Sequence, residues 1–303
     1  MGDRAGLRVT SMAIQQYNKK IKYVILAPAV LFLVALTLLP LLNLVLVSFN
    51  QVSWSSGRST WRFVGFANYL KMGADSLLGA GVRNTAVLVV VATSVQVALG
   101  LGLALMCSAL GRRSRLYRAL FLLPILVPGI IIGAIWKLMY SPQFGVINQI
   151  IGLLGFDPVE WLGSPATALG AVIVVDIWHW TPFTFLLLLA AVESLPVDVA
   201  EAAKIDGAST WQEFRHVTLP MLMPAIAATA AFRAITASKV FDEIFLLTAG
   251  GPGTSTEVIS YTIYQRMFVQ DNAGYGAAIS VALIFAVALI IVVMLTRRTR
   301  EAA

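Results

Sequence analysis

The sequence has 303 residues, 58% of them hydrophobic and only 12% charged, with a mean hydropathy of +0.82. A chain this apolar cannot enclose itself in a water-soluble shell, so it reads as an all-α integral membrane protein. The net charge of +7 comes from basic residues beside apolar stretches rather than from one patch interleaved with aromatics, which excludes nucleic acid as a partner and points to membrane topology; the single cysteine, Cys107, excludes an internal disulfide and a cysteine-based metal cage.

Residues 1–22 form a basic N-terminal tail containing Arg4, Arg8, Lys19, Lys20 and Lys22. The apolar run that follows is too long for a signal-peptide core and lacks a small-residue cleavage site after it, so it reads as an uncleaved first span. A bilayer core needs about 20 mainly apolar residues per helix. Six segments meet that length, at about 23–48, 84–110, 117–139, 168–191, 217–240 and 277–296. They make a six-span body over 23–296 with a short C-terminal tail at 297–303. Pro28, Pro40, Pro124, Pro128, Pro182, Pro220 and Pro224 fall in or beside these runs and predict kinks.

Orientation follows from the positive-inside rule. Basic residues precede span 1, Arg112, Arg113, Arg115 and Arg118 crowd the connection between spans 2 and 3, and Arg297, Arg298 and Arg300 follow span 6, which puts both termini in the cytoplasm. The connection between spans 3 and 4 carries Asp157 and Glu160 without Lys or Arg, as an outer loop should. The first loop, about 49–83, runs against the trend with Arg58, Arg62 and Lys71. Its Trp54, Trp61, Phe63, Phe66 and Tyr69 suit the outer headgroup zone, and the same aromatics would serve a docking surface for an external partner.

Polar groups inside spans are costly and should face a cavity or a partner helix. Asn84 and Gln96 in span 2 are candidates for a solute path, although single amides also serve as helix-to-helix bonds. Asp176 and His179 in span 4 share a helical face with Trp180, a combination that can offer a carboxylate and a stacking ring to a sugar. A structural hydrogen-bonded pair at a helix interface fits the same spacing. Arg233 lies deep in span 5, where depth alone pairs it with Asp176. Lys239, Asp242 and Glu243 stand at helical spacing near the outer end of that span and read as surface ion pairing or a gate contact.

The connection between spans 4 and 5, residues 196–220, falls in the cytoplasm on this topology. Asp198 with Glu201 has capping-box spacing, good helix formers follow, and Gly207 is placed as a left-handed terminator. Thr210 with Glu213 repeats the spacing, so a second short helix is expected to lead through Phe214 and Val217 into span 5. Two helices meeting at a Gly207 elbow make a compact projection that another protein can grip.

Nothing in the chain supplies chemistry. No Gly-Lys dipeptide occurs, so there is no phosphate-binding loop; no Gly-x-Ser-x-Gly elbow or His-Glu-x-x-His helix is present, and the two histidines, His179 and His216, lie in different segments. The chain is expected to need no cofactor of its own, and any ATP-driven work it takes part in must be powered by another chain.

The string EAAKIDGASTWQEFRHVTLPMLMP closely resembles the EAA loop of type I ABC importer permeases. Glu201, Ala202, Ala203, Gly207, Val217, Leu219 and Pro220 occupy the motif positions. FVGFANY at 63–69, NT at 84–85, FDEIFLLTAGGP at 241–252 and GYGAAIS at 274–280 are similar to the carbohydrate-uptake branch, which includes maltose and glycerol-3-phosphate importers. The resemblance implies six transmembrane helices with a cytoplasmic coupling helix between helices 4 and 5. It implies that Glu201, Ala202, Ala203, Asp206, Gly207, Leu219 and Pro220 couple the chain to a cytoplasmic ATPase dimer that carries the ATP and Mg. It further implies a homologous second permease subunit, an extracytoplasmic solute-binding protein, a sugar or related polyol or sugar-phosphate solute, and residence in a bacterial inner membrane among lipid. Other solute classes share the same loop, and an ion-driven secondary transporter using Asp176 and His179 as a relay is the alternative from a different class.

Overall fold

A computed structural model describes the backbone of residues 3–55 and 58–301, with side chains described mainly between 23 and 292. In chain order the elements are α1 (Asp3–Ser48), β1 (Asn50–Ser55), β2 (Arg58–Phe63), α2 (Ala67–Lys71), α3 (Ser76–Leu110), α4 (Arg115–Phe121), α5 (Gly129–Met139), α6 (Val146–Leu153), α7 (Ala168–Glu193), α8 (Val197–Ile205), α9 (Thr210–Glu213), α10 (Leu219–Ala237), α11 (Asp242–Leu247), α12 (Ile259–Tyr264) and α13 (Ala273–Glu301). Among the described residues, five helical stretches are long and apolar enough to cross a bilayer: 23–48 of α1, α3, α7, 210–237 ending in α10, and 273–292 of α13.

The stretch expected as a third span, 117–139, is not one helix. It divides into α4, a 3₁₀ turn at Pro124–Leu126 and the 11-residue α5. The reason is the proline pair: Pro124 opens the 3₁₀ turn, and Val127, just before Pro128, is extended at φ −90°, ψ 127°, as the residue before a proline prefers. The second span starts earlier than its apolar core, because Asp75 caps α3 with its carboxylate accepting from the N–H groups of Leu77 and Leu78 at 3.0 and 3.2 Å.

The first loop is not irregular. β1 and β2 pair antiparallel with Asn50 opposite Phe63 and Ser55 opposite Arg58. Of the aromatics expected to anchor it, Phe66 and Tyr69 pack with Phe49 at ring distances of 5.2 and 5.5 Å, while Trp61 and Phe63 on β2 are exposed. The side chains of Trp54 and Arg58, and those of the basic residues Arg4, Arg8, Lys19, Lys20, Lys22, Arg112, Arg113, Arg297, Arg298 and Arg300 that set the sequence-based orientation, lie outside the described residues.

α3 and α7 form the centre of the bundle. Their crossing is close at Gly100, where a Cβ would stand 2.5 Å from Thr184 Oγ1 and 2.9 Å from the Phe185 nitrogen, so only glycine lets the two backbones approach this far. Leu88, Ala92, Val172 and Val175 fill one side of that crossing and Ala104, Phe185 and Leu188 the other. α5 and α11 close on each other in the same way, with Leu246 in the space beside Gly133. α1 stands apart: its residues from 23 to 42 are exposed within the chain, and it meets the rest mainly through α13 and β1 and, at Ser48, through Asn68 and Tyr69 of α2.

Candidate functional site

Asp176, His179 and Trp180 lie on one face of α7, as their spacing of three and four requires. Arg233, from α10, donates through Nη2 to Asp176 Oδ2, and both side chains are 1% exposed. Gln96 of α3 donates to the same carboxylate oxygen at 3.0 Å and to the Asp176 backbone carbonyl at 2.8 Å. The pairing of Asp176 with Arg233 expected from depth is therefore what the structure shows, with Gln96 as a third member. Arg233 also lies over the Trp180 ring, 5.0 Å from its centroid, and donates to Thr236 Oγ1 at 3.1 Å. One face of the Trp180 ring is thus taken by a cation.

Asp176 and His179 share a helical face but are not partners. The His179 Nδ1 meets Glu243 Oε1 of α11 at 2.9 Å, with side chains 7% and 6% exposed. Glu243 is accordingly not a surface residue. The helical spacing that grouped it with Lys239 and Asp242 does not exist in the chain, because α10 ends at Ala237 and residues 238–241 are non-helical before α11 begins. Lys239 and Asp242 remain exposed; Glu243 turns inward.

These groups line one cavity of 360 Å³ bounded by α7, α10, α11 and the broken 125–129 segment. Asp176 Oδ1, Gln96 Oε1 and Arg233 Nε are sealed in the interior beside it without a hydrogen-bond partner. Unpaired polar atoms of this kind cost stability, and a cluster of them marks a position kept polar against the energetics of folding. Asn84 is placed elsewhere. Its amide donates to the carbonyls of Thr254 and Glu257 at 2.9 and 3.0 Å, so it fastens α3 to the 248–258 loop and does not line the cavity.

Residues 196–220 form the second candidate region. α8 begins after Pro196 without any side-chain cap, so Asp198 does not close a box with Glu201; it lies in the first turn, where its charge still complements the helix dipole. α8 ends as the sequence implies. Gly207 adopts φ +80°, its N–H bonds to the Lys204 carbonyl at 3.1 Å and that of Ala208 to the Ala203 carbonyl at 3.0 Å, a paired closure in which Asp206 is the C-cap.

The second capping box is present one residue earlier than expected. Ser209 is the N-cap, accepting from the Gln212 N–H at 3.4 Å while its own N–H donates to Gln212 Oε1 at 2.8 Å; Thr210 and Glu213 have the same spacing but lie inside the helix. From there α9, a π-helical turn over Phe214–Thr218 and α10 form one helical stretch from Thr210 to Ala237, with Leu219 half-buried and Pro220 in the first turn of α10 where its missing N–H is harmless. Glu201, Ala202, Asp206 and Gly207 are exposed and Ala203 is half-buried. Ile205 and Trp211 stand out most, at 86% and 64% exposure. Behind this projection an 840 Å³ apolar hollow opens between Trp211, Phe214, Leu105 of α3 and Leu195 just past the end of α7.

Five membrane-length apolar helices among the described residues, a polar cavity among the helices of the bundle and an exposed capped projection define a membrane-embedded transport subunit. The chain belongs to the family of binding-protein-dependent transport system inner membrane components, whose model matches residues 96–301. It is 42% identical over 218 residues, 72% of the chain and 70% of the relative, to a probable ABC transporter permease protein, y4oQ, of Sinorhizobium fredii. It is 36% identical over 263 residues to the trehalose/maltose transport system permease protein MalF of Thermococcus litoralis, covering 86% of this chain and 88% of that one. The fold is shared with a chain of a bacterial ABC transporter involved in import of the acidic polysaccharide alginate, at a TM-score of 0.82 and 23% identity, over 96% of this chain and 99% of that one. Members of this family are transport subunits rather than catalytic ones.

Proposed function

We propose that this chain is the pore-forming subunit of an ATP-driven importer of a sugar or related polyol, worked by alternating access. The observation that carries the reading is the unbroken helical stretch from Thr210 to Ala237. It joins the exposed projection, at one end, to Arg233 at the cavity, at the other. Twenty-odd residues at 1.5 Å each span roughly 35 Å, enough to link one face of a bilayer to its interior. A force applied at Glu201, Ala202, Ala203, Asp206 and Gly207 reaches the Arg233–Asp176 pair along a single rod.

On this reading the projection faces the cytoplasm and seats on an ATPase dimer that holds the ATP and Mg, and both termini are cytoplasmic. A second, homologous permease completes the path, and a solute-binding protein delivers cargo from outside the bacterial inner membrane. The solute class is supported by relatives named for trehalose/maltose and for sulfoquinovosyl glycerol transport, the latter the Agrobacterium fabrum permease SmoG at 32% identity over 94% of this chain. It is supported also by a cavity that sets ionised groups beside the Trp180 ring.

Charge reversal at Glu201 tests the coupling half. Glu201→Lys should abolish copurification of the ATPase or uncouple ATP hydrolysis from uptake, while the permease still inserts and folds. A variant that retained a bound, solute-stimulated ATPase at the wild-type rate would refute the assignment.

A further inference from the structure

We infer that Glu243 is a positioning residue that fixes the proton of His179 on Nδ1 and so presents Nε2 to the cavity as a hydrogen-bond acceptor for a solute hydroxyl. The inference rests on the reading of the cavity as the solute path. The 2.9 Å contact with Glu243 Oε1 fits a carboxylate oxygen that accepts from an N–H at Nδ1. Nε2 has no partner among the described residues and is not one of the sealed polar atoms of the interior, while His179 lines the cavity.

The other charged groups facing that space define why an acceptor matters. Asp176 Oδ2 is occupied by Arg233 and Gln96 while its Oδ1 is sealed in the interior, Glu243 Oε1 is occupied by His179, and Arg233 and Lys239 supply donors only. A sugar hydroxyl must donate as well as accept. His179 Nε2 is a neutral acceptor placed to receive that proton, beside the carboxylate oxygens that Glu243 and exposed Asp242 bring to the same lining. The position of Glu243 is itself constrained: α11 is pressed onto α5, where Leu246 lies 2.8 Å from the point a Cβ on Gly133 would occupy.

The chain contains two histidines, which makes the proton directly observable. The full-length chain, labelled with ¹⁵N in its histidine rings, carrying His216→Gln and reconstituted in lipid nanodiscs, should give one ring spectrum with the proton on Nδ1. Glu243→Gln, which keeps the shape but can both donate and accept, should give a mixture of tautomers at unchanged thermal stability. A proton on Nε2 in the parent, or the same tautomer ratio in Glu243→Gln, overturns the proposal. In the assembled importer with trehalose as the probe solute, Glu243→Gln should raise the half-saturating concentration on the order of tenfold with little change in maximal rate. Equal half-saturation in the two proteins also overturns it. If the wild type takes up no trehalose, the assignment of cargo fails, and the ring spectra alone decide the role of Glu243.

Discussion

The cavity cluster and the exposed projection solve opposite problems with the same kinds of residue. Around Asp176 the buried ionisable groups are matched across helices, Asp176 of α7 with Arg233 of α10 and His179 of α7 with Glu243 of α11, and α3 adds the neutral amide of Gln96. The projection instead satisfies its backbone locally, through Gly207 and the Ser209–Gln212 box, and leaves Ile205 and Trp211 in the open. The difference teaches which part depends on the bundle and which can move against it. Disturbing the first should unravel packing between helices, whereas disturbing the second should alter what the chain transmits.

The largest effect is expected at the cavity. Arg233→Ala leaves Asp176 buried without its cation and should destabilise the chain by about 3–5 kcal/mol. Combining it with Asp176→Asn should recover much of that loss, read as thermal unfolding in detergent; a double variant no better than the single would mean the two residues do not act as a pair. A smaller change is expected at the elbow. Gly207→Val forces a β-branched residue to φ +80° and should cost about 1–2 kcal/mol, confined to α8 and α9. Unfolding of the bundle should stay put while ATPase coupling falls, and a lowered global unfolding temperature would show that the projection is not autonomous.

The smallest effect sharpens the contrast from a third place. Asp75, the cap of α3, receives two bonds from Arg266 at 2.7 and 2.9 Å and one from Tyr275 at 2.8 Å. Partial burial pulls its carboxyl upward, but the Tyr275 hydroxyl, the Leu78 N–H and the Arg266 guanidinium outweigh it and hold the group below its ordinary value of 3.8. A carboxyl depressed by folding stabilises the protein fully above 3.8 and loses that contribution as pH falls through the lower folded value. Wild type should therefore weaken below about pH 4, by at most about 1 kcal/mol, and Asp75→Asn should lack that acid limb.

Much of the bundle was legible because apolar length is a strong signal. The failures have local causes. Pro124 and Pro128 were recognised as kinks, but two prolines four apart with an extended residue between them end a helix instead of bending it. The β1–β2 hairpin was hidden because its aromatics match a membrane-interface belt as well as they match strand pairing. At the elbow, Gly207 was readable from its conformation, yet Ser209–Gln212 and Thr210–Glu213 carry the same spacing, and only the backbone decides which pair caps.

At the cavity, Asp176 and Arg233 could be matched by depth, since two opposite charges in hydrocarbon have few other solutions. Glu243 could not be found in this way. Its neighbours in sequence, Lys239 and Asp242, are exposed, and the inward turn that buries it follows from the break at 238–241, which no periodicity announces. The one available hint was a histidine in span 4 whose acidic neighbour on the same face, Asp176, was already matched by depth to Arg233.

The wide turn at Phe214–Thr218 sets an angular register. A π turn holds one more residue than an α-helical turn, so deleting a single residue there would restore α geometry and leave the segments on either side in nearly the same angular register. The same deletion from a regular α-helical turn would swing Ile205 and Trp211 by roughly 100° about the α10 axis. One surplus residue, placed after the elbow and before the membrane, is thus held outside the angular count of the helix, and the bearing of the handle does not depend on it.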